Sequence, residues 1–242
     1  MSARPPGGWV FERRTASAAA LHGDWPPLEA RTERVVGACS LVGASAVVLG
    51  STQPDDVVDA GRAGRLAVEV VRRRSGGGAV LVAPDRQVWL DVWLPRGDPL
   101  WDDDVVASTR WLGDAWARAL RSLGVDDVRV HGGRAECTKW SSLVCFAGIG
   151  PGEVTIGRAK VVGIAQRRTR AGARWHVSVP LWWDPVPLLA VLALDDDRAE
   201  IARAELDAVA IGLHVVLPPR DTGVTDAALV AATEDAFLAS LP

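Results

Sequence analysis

Lysine is nearly missing from this sequence. Its 27 basic residues include two lysines, Lys139 and Lys160, and all the others are arginine. A composition that has replaced lysine almost everywhere has kept it at Lys160, inside Gly157-Arg158-Ala159-Lys160-Val161-Val162-Gly163-Ile164-Ala165-Gln166-Arg167-Arg168, a short basic segment between apolar stretches. Arginine is a wide planar fork, whereas lysine is a compact point charge on a slim stem. Either Lys160 is an ordinary surface lysine, or a tight pocket there needs one positive charge threaded toward a carbonyl or phosphate oxygen.

Cysteine and histidine are scarce too. Cys39, Cys137 and Cys145 form no Cys-x-x-Cys pair, and an odd count of three argues against a disulfide framework and for a reducing compartment. Four histidines without paired spacing predict no structural zinc and no metal ligands. Long uninterrupted apolar runs are absent. The stretches near 35–50 and 180–194 are broken by Gly, Ser, Pro or Asp184, so no membrane span is expected. Residues 1–10 hold Pro5, Pro6, Gly7 and Gly8 and no apolar core of a signal peptide. A cytoplasmic protein is the expectation. The formal net charge of -3 speaks against a general nucleic-acid binder. Tyrosine is absent beside eleven tryptophans, which has no evident physical account.

What remains is apolar enough, at 48% hydrophobic residues, for one large core, and residues 1–242 are read as a single domain. Arginines gather at 72–74 and 167–174, acids at 102–104 and 195–197. The basic clusters are either solvated loops or a local anion site. Val88, Leu90, Val92 and Leu94 alternate with Trp89, Asp91 and Trp93, the period of a strand with one face buried. The acidic triple 102–104 opens a helix whose stripe is Val105, Thr109, Leu112, Trp116, Leu120 and Leu123, with Gly124 just past its end. Short helices are expected at 16–21 and 55–63, longer ones at 196–213 and 225–241, the last with Thr225 as N-cap. Strand material covers 35–49, 67–71, 127–131, 143–146, 154–156, 160–166 and 174–181. The sum is an α+β fold, a largely antiparallel sheet with helices packed on it.

Four places can carry chemistry. Val71-Arg72-Arg73-Arg74-Ser75-Gly76-Gly77-Gly78-Ala79-Val80 puts three glycines after a strand. Such a loop exposes backbone N–H groups and can wrap a carboxylate, phosphate or adenylate, or it is simply a glycine-rich turn. It is neither a Walker loop nor a dinucleotide fingerprint. Lys160 is the second place. Cys145, in Leu143-Val144-Cys145-Phe146, is either an inert core residue or, near Lys160 and arginines, a favoured thiolate. His176 lies in an alternating strand and faces either the core or a pocket.

Together these segments resemble the biotin/lipoate protein ligase superfamily, and within it the lipoate–protein ligase A and octanoyltransferase-like catalytic domains. The family's Arg-Arg-x-Ser/Thr-Gly-Gly-(Gly/Arg)-Ala-Val is matched by Arg72, Arg73 and Ser75 through Val80. Its Gly-(Arg/Lys)-Lys-Ile/Val-x-Gly-x-Ala-Gln is matched at Gly157 to Gln166, with one extra residue before the lysine. Trp175-His176-Val177-Ser178-Val179-Pro180-Leu181 stands ten residues beyond Gln166, where the family has Gln-His-Gly-Ser-Ile-Pro-Leu. Leu49-Gly50-Ser51-Thr52-Gln53 is similar to its Leu-Gly-x-x-Gln.

The resemblance implies a class II synthetase-like domain, a mostly antiparallel mixed sheet flanked by helices. It implies that Lys160 holds the acyl carbonyl or adenylate phosphate. Arg72, Arg73, Ser75, Gly76, Gly77, Gly78, Ala79, Gly163, Ala165, Gln166 and His176 would border the acyl tunnel and adenylate. Lipoate or octanoate would be the acid, and a lysine of a lipoyl domain the acceptor. The Ser-Gly-Gly-Gly form of the loop is typical of ligases, which use ATP and magnesium, and the favoured reading is ligation through an acyl-adenylate. The alternative is octanoyl transfer from acyl carrier protein through a thioester on Cys145, since Cys-Phe stands at a similar place in one branch of octanoyltransferases. That route needs no cofactor. A third reading is a non-catalytic acyl- or adenylate-binding relative. It rests on departures from the pattern: Ala83-Pro84-Asp85 after the glycine loop in place of His-Asp, and Val177 in place of glycine. A C-terminal accessory domain has no room in 242 residues.

Overall fold

The computed structural model describes residues 6–23, 31–217 and 225–242. In chain order they form β1 (Val10–Ala16), α1 (Ala18–His22), β2 (Val35–Leu41), β3 (Ala46–Leu49), α2 (Ala60–Arg65), β4 (Glu69–Arg72), β5 (Val80–Val82) and β6 (Gln87–Pro95). Then come α3 (Arg110–Ser122), β7 (Val128–Val130), β8 (Val154–Ile156), β9 (Ala159–Arg168), β10 (Gly172–Pro180), α4 (Val186–Leu189), α5 (Asp196–Leu206), α6 (Leu213–Val216) and α7 (Asp226–Ala239). A seven-stranded sheet runs β1-β2-β6-β10-β9-β8-β7, and a three-stranded sheet runs β4-β3-β5. The β1–β2 and β3–β4 pairs are parallel, and the other ladders are antiparallel. This is the expected mixed, mostly antiparallel α+β fold. No helix among the described residues is long and apolar enough to cross a membrane.

Side-chain period explains the layers. Val88, Leu90, Val92 and Leu94 of β6 share a face with Trp175, Val177 and Val179 of β10, and the stripe Leu112, Trp116, Leu120 of α3 closes on it. Helix α7 completes this side, its Phe237 stacked on Trp116 at 4.5 Å between ring centroids. Each such buried side chain contributes about 1.5–3 kcal/mol over its exposed state.

Sequence alternation predicted one buried face for β6, but both are covered. Trp89 packs with Ala18 and Leu21 of α1 and with Ala46, Val48 and Val82 of the small sheet. Alternation fixes which residues share a face and says nothing about how many faces are covered. The space between the large sheet and the small sheet with α1 is where the site lies.

Several element boundaries differ from those expected. The run 35–49 is two strands in two sheets, separated by a turn in which Gly43 has φ +91°. Helix α2 begins only after Asp59, whose side chain accepts from Arg62 N at 2.8 Å. The acids at 102–104 do not open α3 directly. Asp104 caps Val106 and Ala107, and a 3-10 turn, Ala107–Thr109, intervenes. Residues 143–146 are no strand: Val144 makes a single bridge to Ala79, and Cys145–Ala147 is a 3-10 turn. The helix expected over 196–213 stops at Leu206, because the following chain satisfies the edge of β9. Lys160 N donates to Val209 O at 2.9 Å, and Ile211 N to Lys160 O at 3.0 Å. Thr225 caps α7 as expected, accepting from Ala228 N.

Candidate functional site

The glycine loop is held by its own arginine. The Arg73 guanidinium is buried and donates to the carbonyls of Val48, Gly76 and Gly78 at 3.1, 2.7 and 2.8 Å. With these carbonyls taken, the N–H groups of Gly76, Gly77 and Gly78 donate to no protein acceptor among the described residues. Side chains are excluded by contact. A Cβ on Gly78 would lie 2.7 Å from Val144 C and 2.8 Å from Cys145 N, and one on Gly50 would lie 1.9 Å from Gly77 O. Gly77 has φ +98°, and its Cβ position is 3.8 Å from Cys145 Sγ. The thiol therefore stands beside the loop. Gly78→Ala is expected to displace the Cys145 backbone and lower turnover about a hundredfold. Stability should fall by about 1–3 kcal/mol. Single-turnover rates and thermal melts of the same preparation measure the two.

Lys160 is not a surface lysine; it is 3% exposed. Its ammonium donates to Cys145 O at 2.8 Å, Gly148 O at 2.9 Å and Glu153 Oε2 at 2.9 Å, and lies 4.8 Å from the Phe146 ring centroid. All three donors are used. Glu153 is buried as well and also accepts from Gly150 N at 2.6 Å and Ile164 N at 2.9 Å. The Lys160 bond to Cys145 O ties β9 to the turn that carries Cys145, and the ion pair with Glu153 fixes the ammonium in place. An arginine fork would not fit where three acceptors converge on one nitrogen. Lys139, by contrast, is exposed and pairs with Glu205.

Two cavities meet at Cys145. An open cleft of about 310 Å³ is lined by Gly76, Gly77, Gly78, Cys145, Lys160, Ala165 and Gln166, among others. An apolar pocket of about 40 Å³ is lined by Arg73, Cys145, Gly163, Ala165 and His176, with Val80, Val82, Trp89 and Val177. Lys160 and the three glycines thus share one cleft. At 40 Å³ the pocket is closed down, so a long ligand enters by moving its lining side chains. Gly163 leaves room for the Phe146 ring, which a Cβ would meet at 3.1 Å. Arg72, Ser75 and Ala79 line neither space. Arg72 holds the turn at Gly50 and Gln53, and Ser75 O accepts from Ser51 N. Ala79 exchanges hydrogen bonds with Leu143 and Cys145. Gln166 reaches Ser108 Oγ at 2.9 Å. The arginine clusters do not converge: Arg168 packs over Trp101, while Arg73 and Arg174 turn inward.

Residues 39–233 match the lipoyl protein ligase A/B catalytic domain. The chain belongs to that family. Among similar relatives, an octanoyltransferase LipM from Kyrpidia tusciae is 37% identical over 131 residues, 53% of this chain and 47% of its own. Another from Exiguobacterium sp. is 30% identical over 154 residues, 62% and 55% of the two chains. The matched region spans about half the length of these curated relatives. Among solved structures, a bipartite lipoate protein ligase from Thermoplasma acidophilum aligns with TM-score 0.70 at 17% identity, covering 96% of this chain and 82% of its own. A lipoate-protein ligase A bound with ATP aligns with TM-score 0.64, also at 17% identity, covering 99% and 85%. At such identities the likeness establishes the fold, which is that of a lipoate-protein ligase.

Within this family domain, a buried charged cluster the sequence did not reveal stands behind His176 of the apolar pocket. His176 Nδ1 lies 2.6 Å from Asp91 Oδ1, and Arg174 donates to Asp91 Oδ2. Burial pushes the Asp91 carboxyl up, but His176 and Arg174 more than offset it and hold it below the usual carboxylate range. Burial lowers His176, against the opposing pull of Asp91. Beside them His22 is 5% exposed and stacks on Trp89 at 4.5 Å. Burial above all, with the neighbouring His176, pushes His22 down to about 2, so its ring is neutral. Sequence reasoning misses Glu153 in the cleft and His22 in the pocket, and also the Asp91–Arg174 pair behind His176. The faint signal was an acid in the middle of an otherwise apolar strand, Trp89-Leu90-Asp91-Val92-Trp93.

The depressed His22 makes stability depend on pH. Between the unfolded value near 6.5 and the folded value near 2, the unfolded chain binds the extra proton, so stability rises with pH across that window. Going from pH 7 to pH 5 should remove about 2 kcal/mol through this group alone. Chemical denaturation at both pH values, with and without His22→Phe, reads the difference. An unchanged slope in the variant would contradict a buried neutral ring.

Proposed function

We propose that this chain is an acyltransferase that carries a lipoyl-type acyl group, octanoyl or lipoyl, on Cys145 and passes it to a lysine of a lipoyl domain. The observation that carries this reading is the position of Cys145, whose residue lines both the apolar pocket and the Lys160 cleft. An acyl chain lying in the pocket brings its carbonyl to that thiol. The LipM names of the relatives support the same reading.

The Cys145 thiolate attacks the carbonyl of an acyl thioester such as octanoyl-acyl carrier protein. The carrier's C–S bond breaks and its sulfur leaves, taking up a proton. The free N–H groups of Gly76, Gly77 and Gly78 are suited to receive the oxyanion that forms beside them. The neutral amine of the acceptor lysine then attacks the Cys145 thioester. An amide forms, the C–S bond to Cys145 breaks, and the amine proton leaves with the sulfur or to water. Lys160, with its donors committed to Cys145 O, Gly148 O and Glu153, works by positioning the turn that bears the nucleophile.

Ligation through an acyl-adenylate, favoured by the Ser-Gly-Gly-Gly loop, has less support. A ligase would bring ATP and magnesium to the cleft. The acids lining it are Glu136 and Glu153, and Glu153 is committed to Lys160, so these residues do not assemble a magnesium site.

The test uses octanoyl-acyl carrier protein and a lipoyl domain, followed by intact mass. The expected result is a hydroxylamine-labile octanoyl adduct on the enzyme, then an octanoylated acceptor, without ATP. Pyrophosphate release that depends on free octanoate or lipoate, with no enzyme adduct, would replace this reading by the ligase.

A further inference from the structure

Among the described residues that line the apolar pocket, His22 is a side chain with every polar atom unpartnered. Both its ring nitrogens are buried without a hydrogen-bond partner. Its plane is fixed by stacking on Trp89 at 4.5 Å, and the His176 ring meets it edge-on at 5.1 Å between centroids without a hydrogen bond between the rings. A neutral imidazole carries one N–H donor and one lone pair. The surrounding wall is mostly hydrocarbon, from Val80, Val82, Ile164, Ala165 and Val177, with Arg73, His176 and Ser178 also lining it. A plain alkyl tail filling this pocket would leave both nitrogens as unpartnered as they already are. A tail with an uncharged heteroatom would pair with them.

We infer that His22 determines acyl specificity: the pocket prefers a chain whose tail bears an uncharged hydrogen-bonding atom, of the lipoyl or hydroxyacyl type, to plain octanoyl. The inference rests on the reading of this pocket as the acyl site. Sites built around a buried polar group reject the analogue that leaves it unpaired. His22 touches no reacting atom in this scheme and acts on selection alone.

The test is competition among the N-acetylcysteamine thioesters of octanoate, 8-hydroxyoctanoate and lipoate, with the Cys145 adducts counted by intact mass at short times. The wild-type protein should form the lipoyl or hydroxyoctanoyl adduct about tenfold over the octanoyl adduct. His22→Leu should bring the ratio to near one or invert it. His22→Phe, which keeps the stacking on Trp89, provides a second variant should leucine fail to fold. Octanoyl preferred by the wild type, or a ratio unchanged in both variants, would overturn the assignment. Absence of any adduct would instead strike the thioester reading. Calorimetric binding of the same three thioesters to Cys145→Ser protein then measures selection by His22 on its own, with equal affinities counting against it.

Discussion

Cys145→Ser protein is expected to transfer octanoyl groups at least about a thousandfold more slowly than wild type. A serine hydroxyl needs a base in hydrogen-bond contact, and among the described residues none bonds the Cys145 side chain. His176 lines the same pocket, with its Nδ1 on Asp91, but makes no hydrogen bond to Cys145. A thiol needs less help, since sulfur is the more intrinsically nucleophilic atom. The exchange is nearly isosteric at a half-buried position, so the melting temperature should stay within about 2 °C of wild type. Rapid-quench measurement of acceptor acylation, with a melt of the same sample, gives both numbers. Transfer above a tenth of the wild-type rate would remove Cys145 from the mechanism and leave the adenylate route.

The second large effect is at Lys160. Lys160→Met deletes three hydrogen bonds and strands the Glu153 carboxylate in the interior, which costs about 3–5 kcal/mol. For a chain of this size that is roughly 10 °C of melting temperature. Transfer should fall by about a hundredfold or more, because the turn carrying Cys145 loses its anchor. Adding Glu153→Gln separates the two consequences. The double variant should recover much of the stability, since the buried charge is gone, and none of the activity, since Cys145 O and Gly148 O still lack their donor. A double-mutant cycle on denaturation and on turnover measures this coupling. Full activity in the double variant would mean that Lys160 serves the fold alone.

Some of this was legible in local pattern. The alternation through Val88 and Leu94 and the stripe through Leu112, Trp116 and Leu120 are periodic, and periodicity survives any tertiary arrangement. The triple glycine, Lys160 and the Cys145-Phe146 pair could be picked out because their residue types are rare or spaced distinctively. The run 143–146 reads as a strand in sequence but is a single bridge at Val144 followed by a 3-10 turn, since four apolar residues carry no period and their conformation is set by the bridge to Ala79. Glu153 and Asp91 were passed over because a carboxylate carries no mark of its partner. Both acquire meaning only when Lys160, His176 and Arg174 are brought against them.

The amino-acid order by itself determined the family and the class of fold, along with a short set of candidate groups, because motifs and side-chain periods are written in neighbouring residues. Tertiary structure alone decided that Cys145 stands between two cavities, that Lys160 spends its charge inside on Glu153, and that Arg72 and Arg73 hold the backbone. It also placed His22, from the first helix, beside β6 and β10. Those facts depend on distances across chain separations of many residues, and such distances exist only after the two sheets have packed.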